Sequence, residues 1–176
     1  IFVLMLVELG LVFYLSARVS KMSGGKATGI FLLYSALNGF TLTPILYAFT
    51  ATSVASAFLT TAAMFGAMSV YGLLTKRDLT GLGSFCMMGL IGIIVAMILN
   101  FFIQSGPFGL VINIVGVLVF VGLTAYDTQR LKEMGETVPH DDAAAVRRGT
   151  IMGALTLYLN FINLFIMLLQ IFGDRR

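Results

Sequence analysis

The sequence is poor in charge. It holds eleven Lys and Arg and eight Asp and Glu in 176 residues, 11% charged against 59% hydrophobic. A soluble domain carries about 25% charge and about 45–50% apolar residues, so this balance excludes one. There is a single cysteine, Cys86, inside an apolar run, so no disulfide framework is available, and the residue reads as a small packing group. There is one histidine, His140, among loop charges. The net charge of +3 is small. No basic aromatic patch accompanies it, which argues against nucleic acid as a partner. No HExxH, GxSxG, P-loop or GxGxxG string occurs, and no nucleophile–base pair or metal constellation suits intramembrane proteolysis. Neither an enzyme nor a resident cofactor is expected.

What is present is long apolar runs. The expected fold is an all-α bundle of six membrane-spanning helices, at about 1–16, 28–49, 52–74, 82–104, 108–127 and 150–172. These form one transmembrane domain over 1–176. The chain opens IFVLMLVELG, already apolar and without a signal-peptide pattern. It reads as the inside of a spanning segment, so the expectation is of a piece lacking an N-terminal part. Pro44 should kink or break the second span, with the hydroxyls of TLTP available to the freed carbonyls. Only Thr50 and Ala51 separate the second and third spans, which implies a tight hairpin.

The Lys and Arg residues sort by loop. Segments 17–27, 75–80 and 128–148 hold nine of the eleven, and the turns after the second and fourth spans hold none. The positive-inside rule makes the first set cytoplasmic and puts the C-terminus outside. Arg175 and Arg176 depart mildly from that pattern. Either they form a tolerated tail, or the last segment does not cross fully.

The last apolar run, TIMGALTLYLNFINLFIMLLQIF, organises the rest. It is long enough for a hydrocarbon core of about 30 Å at about 1.5 Å per residue. Yet Asn160 and Asn163 sit at its middle, three apart and so on one face. Polar groups at that depth are costly unless a neighbouring helix satisfies them, so this helix should be enclosed, with that face towards a polar partner. Two carboxylates lie in or near spans. Glu8 is an intramembrane carboxylate and a functional candidate, or an interfacial residue if the frame shifts. Asp127 follows LTAY at the end of the fifth span, where an ordinary interfacial aspartate would oppose the helix dipole. The helix is expected to continue through Thr128, Gln129 and Arg130. Arg130, or Arg18 from the first span, could neutralise Asp127. Carboxylate and carboxamide oxygens suit a hard cation such as Ca²⁺, or a hydrogen-bonded gate. His140 with Asp141 and Asp142 could hold a cation weakly, although a solvated loop is the simpler reading.

The strings GFTLTPIL (39–46), LTAYDTQRLK (123–132) and LYLNFINLFIMLLQIFG (157–173) resemble the bacterial branch of the Bax inhibitor-1 family, as do VELGLVF and TKRDL. The resemblance covers essentially the whole chain. It implies a seven-helix bundle with the last helix central, six of the seven being present here. It also implies a pH-sensitive Ca²⁺ leak in a bacterial inner membrane. The gate is a latch in which two aspartates share a proton. The first matches Asp127 and the second falls on Asn160. Arg18 falls at the arginine that links to the latch, and Glu8 at a glutamate on the cation path, so Glu8 and Asp127 are the expected transient Ca²⁺ ligands. Asparagine at 160 can still hydrogen-bond, but it removes the like-charge competition for one proton that makes such a pair acid-sensitive. The resemblance also leaves a second class open: a non-transporting regulator that restrains a membrane-anchored ATP-dependent protease.

Overall fold

The computed structural model describes residues 2–137 and 142–176. Its elements are six helices: α1 (Phe2–Arg18), α2 (Gly24–Tyr47), α3 (Ala51–Leu74), α4 (Thr80–Ile103), α5 (Gly106–Thr137) and α6 (Ala143–Phe172), with one 3₁₀ turn at Val19–Lys21. Local chemistry sets several starts. The Ser23 hydroxyl accepts from the Lys26 amide at the head of α2, Thr50 from the Ser53 amide at the head of α3, and Asp142 from the Ala145 amide at the head of α6. Five helices, α2 to α6, are long and apolar enough to cross a membrane. The 17 residues of α1 are fewer, in keeping with a short first span.

Two expectations about local structure are corrected. Of the kink or break expected at Pro44, the break does not occur: α2 runs on to Tyr47. The Thr43 hydroxyl turns back to the Gly39 carbonyl at 3.1 Å and the Thr41 hydroxyl is taken by Glu8, so neither serves the carbonyl that the proline frees. Segment 128–148 is not mainly a loop. α5 continues to Thr137 and α6 begins at Ala143. The extension has tertiary work. Gln129 accepts from the Leu79 amide at 3.0 Å and donates to the Arg77 carbonyl at 2.8 Å. The Lys132 ammonium caps the Leu73 carbonyl at the end of α3 at 3.1 Å. The polar end of α5 thus clamps the α3–α4 loop. The cation set around His140 and Asp141 lies outside the described residues.

α6 is central: it packs against α5, α3 and α2. It shares that position with α5, which packs against α3, α4 and α6. Small residues permit the approach. A Cβ at Gly83 would stand 2.6 Å from the Tyr126 ring, and one at Gly72 would run into the Ala125 carbonyl. The core between α4, α5 and α6 holds Cys86, Phe120, Leu123, Leu164 and Met167, all buried. By contrast α4 shows Phe85, Met88, Ile91 and Phe102 to the outside. Apolar surface on that scale belongs in lipid rather than water.

The C-terminal residues tie the bundle shut at one end. The Thr50 amide donates to the Asp174 carbonyl and the Arg176 amide to the Ala48 carbonyl, both at 3.0 Å. The Asp174 amide donates to the Ser53 hydroxyl at 2.9 Å. The tail therefore lies against the α2–α3 turn, at the end of the bundle opposite the Lys- and Arg-rich connections.

Candidate functional site

α5 and α6 run antiparallel through the centre, so each carries its polar residues past the other. Asn160, buried on α6, donates from Nδ2 to Oδ2 of Asp127 on α5 at 2.7 Å. This is a short hydrogen bond to a carboxylate, stronger than a neutral pair. Asp127 itself is only half-buried. It opens on a cavity of about 260 Å³ that it lines with Arg130, Leu131, Met134, Met152 and Thr156. Arg130 is exposed one turn on, and its charge faces the carboxylate without a close ion pair.

Other expected partners are not in this group. Arg18 ends α1, exposed, and makes no ion pair with Asp127. Asn163 shares a face with Asn160 but spends its amide on its own helix, donating to the Leu159 carbonyl at 2.8 Å. Glu8 belongs to a second cluster. It is 7% exposed on α1 and accepts a hydrogen bond from the Thr41 hydroxyl of α2. Its charge also reaches the phenols of Tyr34 and Tyr158. Those two rings meet edge to face at 6.1 Å. Asn38 bridges them, donating to the Tyr34 hydroxyl at 3.2 Å and accepting from Tyr158 at 3.4 Å. The cluster thus joins α1 and α2 to α6. Among the described residues no three of His, Cys, Asp and Glu converge on a possible metal position. Glu8 and Asp127 are two separate sites.

Thr41, Tyr34, Asn38 and Tyr158 were not assigned to Glu8 from the sequence. A signal exists: Tyr34, Asn38 and Thr41 stand four and three apart, a polar stripe on one face of the helix. Nothing in the spacing says that the stripe faces Glu8, 33 residues away.

A central pair of helices joined by a carboxylate and a carboxamide, inside a sheath of lipid-facing helices, defines a multi-pass α-helical membrane protein with a polar contact at its centre. The family described as "Inhibitor of apoptosis-promoting Bax1" matches residues 1–176, and the chain belongs to that family, Bax inhibitor-1. Inner membrane protein YbhL of Escherichia coli (strain K12) is 54% identical over 173 residues, covering 98% of this chain and 74% of that protein. A membrane protein of Streptococcus pyogenes serotype M1 is 47% identical over 170 residues, covering 96% and 72%. A protein of Borreliella burgdorferi is 44% identical over 173 residues, covering 98% and 74%.

Proposed function

We propose that the protein is a Ca²⁺ leak of the bacterial inner membrane, gated where α5 and α6 are joined by Asp127 and Asn160. One observation carries the reading: the 2.7 Å hydrogen bond between these residues ties together the two central helices at the floor of a cavity. Such a bond is strong enough to hold a closed packing and weak enough to exchange for a hydrated cation, which carboxylate and carboxamide oxygens both suit. Asp127 is the group that meets Ca²⁺. Glu8, buried and bonded to Thr41, braces α1 and α2 against α6 on this reading rather than lining the path. Segments 17–27, 75–80 and 128–148 face the cytoplasm and the C-terminus faces outward. The name of the Escherichia coli relative supports the choice of membrane.

The test is Ca²⁺ entry into liposomes that hold the purified protein and a Ca²⁺ dye. Entry above that of empty liposomes supports the leak. No excess entry at any pH overturns it. A stable crosslink to a membrane-anchored ATP-dependent protease, without flux, replaces it with a regulatory role.

A further inference from the structure

A second polar cavity lies at the other end of the α5–α6 pair. It measures about 340 Å³, and its lining includes Asn100, Gln104, Asn113, Gln170 and Arg175. Four carboxamides and a guanidinium make this a wetted chamber rather than a lipid groove. Asn113 is the informative member. The residue is 8% exposed, and its side-chain amide, which has no hydrogen-bond partner among the described residues, reaches the surface of this cavity. A buried carboxamide without a protein partner is satisfied by water when it faces a polar cavity large enough to hold some.

The cavity floor follows from helix periodicity. Gly116 lies three residues beyond Asn113 on α5, and Met167 three residues before Gln170 on α6, each on the same face as its neighbour. Those two residues meet: the Met167 thioether fills the space where a side chain at position 116 would be. Below them Phe120, Leu123 and Leu164 are buried in the same core, and beyond that core comes the Asp127–Asn160 bond with its own cavity. From Asn113 to Asp127 is fourteen residues, about 21 Å of helix. The α5–α6 seam therefore runs from a polar cavity through a dry segment to the Asp127–Asn160 bond.

We infer that the cavity around Asn113 and Gln170 is the outer mouth of a water and cation path along α5 and α6, and that Met167 seated on Gly116 is its hydrophobic closure. The inference deepens the leak reading and rests on it for the identity of the permeant ion. It does not rest on it for the wet–dry boundary. A narrow apolar constriction resists ions by excluding water, so its polarity, rather than its bulk alone, sets its own resistance, which adds to that of the Asp127–Asn160 bond. Methionine suits the place: it is flexible and unbranched, and it can swing off a glycine without moving a helix. Arg175 at the mouth disfavours cations there, which fits a slow leak.

The test is thiol accessibility in a Cys86→Ala background, with a membrane-impermeant maleimide applied from the side of the α2–α3 turn. Asn113→Cys should label readily. Leu164→Cys, one turn beyond the closure, should label at least about tenfold more slowly, as a dry segment requires. Adding Met167→Gln, nearly isosteric but polar, should speed labelling of Leu164→Cys about tenfold or more, whereas Met167→Leu should leave it slow. If Met167→Gln does not fold, Met167→Ser serves in its place. The inference is overturned if Asn113→Cys is protected, if Leu164→Cys labels as fast as Asn113→Cys with Met167 in place, or if the polar substitutions change nothing. Ca²⁺ entry measured on the same variants separates the two claims. Labelling as described without Ca²⁺ entry removes the Ca²⁺ leak and keeps the closure.

Discussion

Glu8 and Asp127 are both carboxylates among membrane helices, and the fold treats them differently. Glu8 is 7% exposed, accepts from the Thr41 hydroxyl, and its charge reaches two phenols that Asn38 bridges. It joins peripheral helices to the centre. Asp127 is half-buried, held by one carboxamide, and opens on a cavity with an exposed Arg130 at its rim. It joins the two central helices to each other. A buried carboxylate is expensive to uncouple and so acts as a brace. A carboxylate with one strong bond and room for water beside it can exchange that bond at small cost, which is what a gate needs. The partners of each carboxylate and the space beside it separate the two residues.

This contrast can be broken by removing one partner at a time. Thr41→Val keeps the shape and deletes the hydroxyl. It should cost about 2–3 kcal/mol of stability, since Glu8 keeps its burial and loses its donor. Thr41→Ser should restore most of the loss, and thermal unfolding in detergent reads both. An unchanged midpoint in Thr41→Val would remove the brace. Asn160→Leu should cost less, about 1 kcal/mol, because water in the adjoining cavity can replace the lost amide. A larger loss than in Thr41→Val would reverse the comparison. Asn160→Asp sharpens the picture from the other side by placing a second carboxylate against Asp127. The pair then competes for one proton, so Ca²⁺ entry should vary more steeply with pH than in the natural protein. Superimposable pH profiles would show that Asn160 does not blunt acid sensing.

The smallest effect lies outside the membrane. Asp78 accepts from the Thr80 hydroxyl at 2.6 Å and from the Thr80 amide at 2.9 Å, and these bonds, the hydroxyl first, hold its carboxyl below the ordinary value of 3.8. A depressed folded value adds stability that is present above the ordinary value and lost as pH falls through the folded one. Thr80→Val removes the hydroxyl alone. The Asp78 titration seen by NMR should therefore move part of the way up, with the backbone bond retained. No movement would mean that the hydroxyl does nothing.

Much of the fold was legible because lipid imposes a simple code. Runs of apolar residues gave the helices, and the Lys and Arg loops mark one end of the bundle; the start of α2 at Gly24, inside the expected loop, was not read. The end of α5 was less legible. RLKEMGE looks like a solvated connection, and only the α3–α4 loop beside it shows why Gln129 and Lys132 stay helical. The Asp127–Asn160 contact came from a resemblance of strings and not from spacing, since two polar residues 33 apart carry no local signal of pairing. Asn163 shows the limit of periodicity. It shares a face with Asn160, yet its bond goes to its own backbone. Arg18 shows the limit of resemblance, since it stands at the matching position but exposed and unpaired with Asp127.

The central claim is that the bond between α5 and α6 holds a conducting path closed. Ca²⁺ entry into liposomes, compared between the natural protein and Asn160→Leu at equal reconstituted amount, tests it most directly. The account predicts an initial rate in Asn160→Leu higher by about tenfold or more, the equivalent of about 1.4 kcal/mol of lost closure. Equal rates in the two proteins, both above empty liposomes, would contradict it.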